Sequence, residues 1–368
     1  MAIPQSGRLK LRGRKKQPSE GSRRRDKIVL RARRAAAYAK TPTTWTPDVP
    51  TVLTIVFLLE AVAIIAFPHL RASRLAFVLV GSSVPIGLWL FVYWKIYLSV
   101  FTTPNKDSTP ITDSRWEKFD FLGWGEEKMV GHILKSDQSS TDLLLYLHGY
   151  DSSLGRGESR CQHIQSFGIN IIGMDQRGFG TQQGRMDWTL LKVIADAEAI
   201  LEAAPQQLGF TPEKLWIYGH SMGGFITIRL ASHQSGWWEH ALNGIILESP
   251  VSSFPKIIDE KLPGKMVMAR PWVRHVLRRE YERIHPDLPV RYATSELPYW
   301  GIPKVPILVV QAEDDEMLGS AHFELLLKHF DNDEVDCEIH TIENMPHTSR
   351  VDRPERAKRV EYWLEAMR

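Results

Sequence analysis

The chain has 368 residues, 43% of them hydrophobic and 24% charged, which is enough apolar material for a sizeable core and excludes a wholly disordered protein. Two cysteines, Cys161 and Cys337, exclude a disulfide-stapled scaffold and a cysteine-based zinc cluster. The net charge of +3 is unevenly spread: residues 1–40 carry 14 Lys/Arg against Glu20 and Asp26, a net +12, so the remaining 328 residues are net −9.

In chain order, residues 1–49 form a basic arm with Gly, Pro, Ser and Arg clusters and no sustained apolar period, read as disordered. Two apolar stretches follow within residues 50–100, at about 51–67 and 75–97, separated by Pro68 to Arg74. At 1.5 Å per residue, 17 to 20 residues cover ~26–30 Å, close to the thickness of a hydrocarbon core, so these are expected to be two transmembrane helices. Trp89, Tyr93, Trp94 and Tyr97 crowd around Lys95 as an interfacial belt would. The alternative is a pair of helices buried in a soluble core, against which stands the near absence of a polar face. Glu60 lies inside the first stretch and is given no role. The basic arm before the first span places the body on the cytosolic side of a membrane, the endoplasmic reticulum being the expected compartment and a mitochondrial membrane the alternative. The arm lacks interleaved aromatics, so no nucleic-acid partner is expected.

From about residue 110 to 368 short β-rich runs alternate with helical spacing. Strands are expected at Lys128–Leu134, Leu143–Leu147, Ile169–Met174, Leu215–Tyr218, Gly244–Leu247, Pro306–Val310 and Cys337–Ile342, and helices at Thr189–Leu208, Gly223–His233 and Ser320–Phe330. Such alternation predicts an α/β domain with an open, mostly parallel sheet and helices on both faces. An insertion at about 250–304 is expected to form a helical cap or lid. Within it, Arg270–Ile284 puts Val273, Val276, Leu277, Tyr281 and Ile284 on one stripe and arginines on the other side, which suits either a membrane-facing lid or a solvated cap helix. Trp237-Trp238 reads as core or rim packing.

The chemistry centres on Gly219-His220-Ser221-Met222-Gly223, a Gly-x-Ser-x-Gly between a β run and a helical run. A serine on a tight strand-to-helix turn presents its hydroxyl above the sheet, and the flanking glycines admit close neighbours. Ser221 is the candidate nucleophile. It needs a base, and the base needs a carboxylate to orient it. Strand Pro306–Val310 runs into Glu313-Asp314-Asp315-Glu316, and strand Cys337–Ile342 is followed by His347. Asp315 is taken as the acid, with Asp314 as the alternative, and His347 as the base; His322, His329 and His340 read as ordinary helix-surface or strand positions. The amides of Met222, at the start of the helix, and of Tyr150, after His148-Gly149, are the expected oxyanion donors. No cofactor or metal is expected.

His148-Gly149, Asp175-Gln176-Arg177-Gly178-Phe179-Gly180, Gly219-His220-Ser221-Met222-Gly223-Gly224 and the Asp315/His347 pair together resemble the monoacylglycerol lipase and lysophospholipase (serine aminopeptidase-like) group of α/β hydrolases over about residues 115–365. The resemblance implies an α/β-hydrolase fold and cofactor-free cleavage of a lipid acyl ester by a Ser-Asp-His triad. The chain departs from that group at Tyr150-Asp151, at Ala312 and at Met345-Pro346, which leaves the substrate open. A peptidase or thioesterase with the same triad, or a non-catalytic membrane scaffold on the same fold, are the other readings.

Overall fold

The computed structural model describes residues 109–182, 188–261, 270–284, 291–331, 334–348 and 353–368, with seven isolated positions between 62 and 91. The basic arm, Glu60 and, apart from those isolated positions, both expected membrane spans lie outside the described residues. Among the described residues no helix is long and apolar enough to cross a membrane.

One sheet is built from β1 (Glu117–Leu122), β2 (Lys128–Leu134), β3 (Asp142–Leu147), β4 (Asn170–Met174), β5 (Lys214–His220), β6 (Leu242–Glu248), β7 (Ile307–Ala312) and β8 (Cys337–Ile342). The order across it is β1-β2-β4-β3-β5-β6-β7-β8. β2 is antiparallel to both neighbours, and every later pairing is parallel. The helices are α1 (Leu154–Cys161), α2 (Leu190–Leu208), α3 (Met222–Ser232), α4 (Phe254–Lys261), α5 (Arg270–Ile284), α6 (Ser320–Phe330) and α7 (Pro354–Met367).

Side chains alternate across each strand, and here both faces are covered. Leu143, Leu145 and Leu147 of β3, with Leu215 and Ile217 of β5, pack under α2 and α3. Leu144, Tyr146, Trp216 and Tyr218 point the other way and pack with Leu154 and Cys161 of α1 and Val360, Trp363 and Leu364 of α7. Burial on both faces is why the central strands read as continuous apolar runs.

β1 was not among the expected strands, because Glu-Lys-Phe-Asp-Phe-Leu is a mostly solvent-facing edge with only Phe121 buried. α1 was also unanticipated: Leu-Gly-Arg-Gly-Glu-Ser-Arg-Cys has two glycines and no clean apolar period. It is started by Ser153, whose hydroxyl accepts from the Arg156 amide. Within the cap, α5 buries Val273, Val276, Leu277 and Tyr281 and exposes Arg274, His275, Arg278 and Arg279. Tyr281 meets Phe254 and Tyr292 with ring centroids 6.1 and 5.7 Å away, so this helix is stitched into the main core. Trp238 is buried and Trp237 half-buried, its indole donating to the Leu201 carbonyl at 2.7 Å.

Candidate active site

Strand β5 ends at His220 and α3 begins at Met222, leaving Ser221 alone in the turn at φ 54°, ψ −118°. A non-glycine residue at such a φ is strained and must be held by its surroundings. Here the Ser221 amide donates to the Glu248 carbonyl at 2.9 Å, and the Ser221 carbonyl accepts the Val251 amide at 3.1 Å. The glycines have a concrete purpose. A Cβ on Gly223 would lie 2.1 Å from the Leu147 carbonyl oxygen, and one on Gly219 would lie 2.3 Å from the Thr227 hydroxyl.

β7 ends at Ala312, and the turn beyond it exposes Asp314 and buries Asp315. One oxygen of Asp315 accepts the amides of Met317 and Leu318 at 3.0 and 2.9 Å. The other lies 2.8 Å from His347 Nδ1, while His347 Nε2 lies 2.9 Å from Ser221 Oγ. A carboxylate can only accept, so Nδ1–H donates to Asp315 and Nε2 is left to accept the serine hydroxyl. Burial pushes the Asp315 carboxyl up, but the hydrogen bond and charge of His347, with the Leu318 and Met317 amides, outweigh it and leave the group below the usual carboxylate range.

The two expected oxyanion donors flank this line. Met222 puts its amide at the N-terminus of α3. Gly149 brings the chain against the serine so closely that a Cβ there would lie 3.1 Å from Ser221 Cβ, and Tyr150 follows directly. The Tyr150 ring is fixed edge-on to Phe179 and Trp188, with centroids 5.2 and 5.0 Å away. Burial pushes its phenol up to about 12, with Asp151 adding to the effect.

Several residues that hold the site had no role assigned from sequence. His148 is buried and neutral, its pKa lowered chiefly by burial. Its Nδ1–H donates to the Gly149 carbonyl at 2.7 Å, and its Nε2 accepts the Gln176 amide at 2.8 Å. The Gln176 side chain donates to the His148 carbonyl and accepts from Trp188 Nε1 at 2.8 Å. Asp175 accepts the amides of Leu154 and Thr181, both at 2.6 Å. Gln176 thus ties the loop after β4 to the turn carrying Tyr150, and Asp175 ties it to the start of α1.

Below the serine, Glu248 is buried with Arg160 Nε at 2.9 Å, Arg356 Nη1 at 3.7 Å and the Tyr218 hydroxyl at 2.6 Å. His322, expected on a helix surface, is buried: its Nδ1 accepts the Ser252 amide at 3.1 Å, and burial, aided by Lys256, lowers its pKa to about 4. A helix position that faces a neighbouring loop cannot be told from a solvent-facing one by its residue type. Among the described residues no group of three or more His, Cys, Asp or Glu is placed to hold a metal ion.

A sequence model of the family described as serine aminopeptidase, S33, matches residues 138–302, a segment holding Ser221 but stopping short of Asp315 and His347. The esterase Pf2001 of Pyrococcus furiosus superposes with a TM-score of 0.52 at 18% identity, covering 72% of this chain and 98% of that one. Strand order, serine turn and sequence match agree. The chain has the α/β-hydrolase fold.

Curated relatives are similar over about a third of the chain. A multifunctional-autoprocessing repeats-in-toxin of Vibrio vulnificus is 31% identical over 127 residues, 34% of this chain and 2% of the toxin. The lysophosphatidylserine lipase ABHD12 of Danio rerio is 33% identical over 124 residues, 32% of this chain and 30% of that lipase. The chain therefore spans less than a third of either relative. Its site lies in the loops beyond the C-terminal ends of β3, β5, β7 and β8, the edge where ligands bind in open α/β sheets.

Proposed function

We propose that the chain is a membrane-anchored serine hydrolase that cleaves a lipid acyl ester of the monoacylglycerol or lysophospholipid kind. The observation that carries this reading is the hydrogen-bonded line Ser221–His347–Asp315. In it, Ser221 Oγ attacks the ester carbonyl as His347 Nε2 takes its proton, and Asp315 holds the imidazole tautomer and offsets the imidazolium charge. The Tyr150 and Met222 amides receive the tetrahedral oxyanion, His347 returns the proton to the leaving alcohol, and a water deprotonated by the same imidazole releases the acyl group.

The lipid substrate is supported by the sequence resemblance and by the relative named as a lysophosphatidylserine lipase. The membrane is supported by the apolar stretches at 51–67 and 75–97, with the basic arm drawn to an anionic leaflet at about 1 kcal/mol per nearby Lys or Arg. The body then faces the cytosol, at the endoplasmic reticulum or, alternatively, a mitochondrial membrane. The match to the serine aminopeptidase family supports a second reading, hydrolysis of an amide by the same residues.

The full-length chain is expected to react with a fluorophosphonate probe and to lose all labelling on Ser221→Ala; an unlabelled wild-type chain sinks the catalytic reading. A panel of monoacylglycerols, lysophospholipids, acyl thioesters and aminoacyl amides then separates the readings, faster turnover of the amides overturning the lipid assignment.

A further inference from the structure

His347 hangs from an exposed part of the fold. β8 is the last strand of the sheet, and most of its residues are half-buried or exposed. Both ring nitrogens of His347 are committed, one to Asp315 and one to Ser221. Neither contact fixes the backbone from which the ring swings, and a small displacement there moves Nε2 away from the hydroxyl.

We propose that His220, the residue before the serine, is a positioning residue for the base, its Nε2–H gripping the main-chain carbonyl of His347. The role rests on the catalytic assignment above. The contact is 2.8 Å long, and the two rings lie with centroids 5.1 Å apart. A carbonyl only accepts, so His220 carries its hydrogen on Nε2. The ring is buried among the groups that decide its charge. Burial comes first in holding its pKa well below the ordinary value, and the charges of Arg160 and His347 add to this against the opposing Glu248 carboxylate. The ring's Nε2–H is committed to the His347 carbonyl, and burial disfavours a second proton on Nδ1. It can only hold.

The other side of the ring faces the oxyanion turn, since a Cβ on Gly149 would lie 3.3 Å from His220 Nδ1. His220 is itself fixed by the β5–β6 register, opposite Glu248. One imidazole therefore sits wedged between the turn that carries Tyr150 and the loop that carries His347, and sets the distance of both from Ser221.

The test compares side chains at position 220 in the full-length chain, using a p-nitrophenyl ester and a fluorophosphonate. His220→Phe keeps the ring shape without the donor. It is expected to lower kcat and the rate of Ser221 labelling at least about 10-fold with KM held within about twofold, as a misplaced base should. His220→Gln places an amide N–H about as far from the backbone as imidazole Nε2 and should recover to within about threefold of wild type. His220→Asn, too short to reach, should behave as the Phe variant does, and replaces it if the Phe variant fails to fold.

Wild-type rates without a reaching donor, no recovery with Gln, or a loss confined to KM each overturn the role. A wild-type chain that neither labels nor turns over ester overturns the catalytic assignment, and this role with it. A chain that labels at Ser221 yet is indifferent to residue 220 overturns this role alone.

Discussion

Asp315 Oδ2 lies 2.8 Å from His347 Nδ1, while its other oxygen is pinned by the amides of Met317 and Leu318. The carboxylate is thus oriented by the turn before it orients the imidazole. Asp315→Asn keeps the shape but lets the amide donate, favouring the wrong tautomer of His347. A fall in kcat of about 10³–10⁴ is expected. Asp314 is exposed, and Asp314→Asn should leave kcat within about twofold. Steady-state kinetics on one ester checks both, and equal losses would contradict the assignment.

Gly223 cannot grow. Alanine there puts a methyl 2.1 Å from the Leu147 carbonyl oxygen, so α3 must lift away from β3. We expect Gly223→Ala to lose about 1–3 kcal/mol of stability and its fluorophosphonate labelling as well. Denaturant unfolding beside probe labelling measures the two losses; a stable, fully labelled variant would show that the turn has slack.

His132 on β2 is buried, and neither ring nitrogen has a hydrogen-bond partner among the described residues. Burial lowers its pKa, with Lys118 adding to the effect and Asp175 opposing it. A desolvated, unpaired polar group is a cost that an apolar residue of similar size removes. His132→Leu should therefore raise stability by about 1–3 kcal/mol at neutral pH, read as an upward shift in the unfolding midpoint.

Acid should unfold the protein in two overlapping windows. His322 titrates near 4 when folded, so between the ordinary value of 6.5 and about 4 the unfolded chain binds the extra proton and stability falls as pH falls. For Glu248, burial pushes the carboxyl up, but the charges of Arg160, Arg356 and His220 and the Tyr218 hydrogen bond outweigh it and bring the group down to about 2. Its contribution is complete above the ordinary value of 4.5 and is lost as pH drops toward 2, on the order of 3 kcal/mol. A melting temperature flat from pH 7 to 3 would refute both assignments.

The contrast between Ser221 and Glu248 shows what could be seen in the residue order. The serine turn is legible because its requirements are local: glycines two positions either side, a β run before, a helical run after. The central strands β3 to β7 were legible for a related reason, since burial on both faces leaves a nearly unbroken apolar run. Glu248, Arg160 and Arg356 come from β6, α1 and α7, and nothing in a charged residue's neighbours tells whether the fold will bury it beside an opposite charge. His220 was visible only as the variable position of a motif, its partner lying 127 residues away. The choice of Asp315 over Asp314 was likewise a matter of which way a turn faces.

β6 and β7 pair directly although the whole cap lies between them in the chain. A protease cut inside that insertion would leave the serine on one fragment and its acid and histidine on the other, joined by the β6–β7 ladder and by the packing of α7 against β3 and β5. Such a nicked protein should stay active while the ladder holds and go silent when it parts. Two co-expressed halves could then serve as a complementation reporter, switched on by their reassociation.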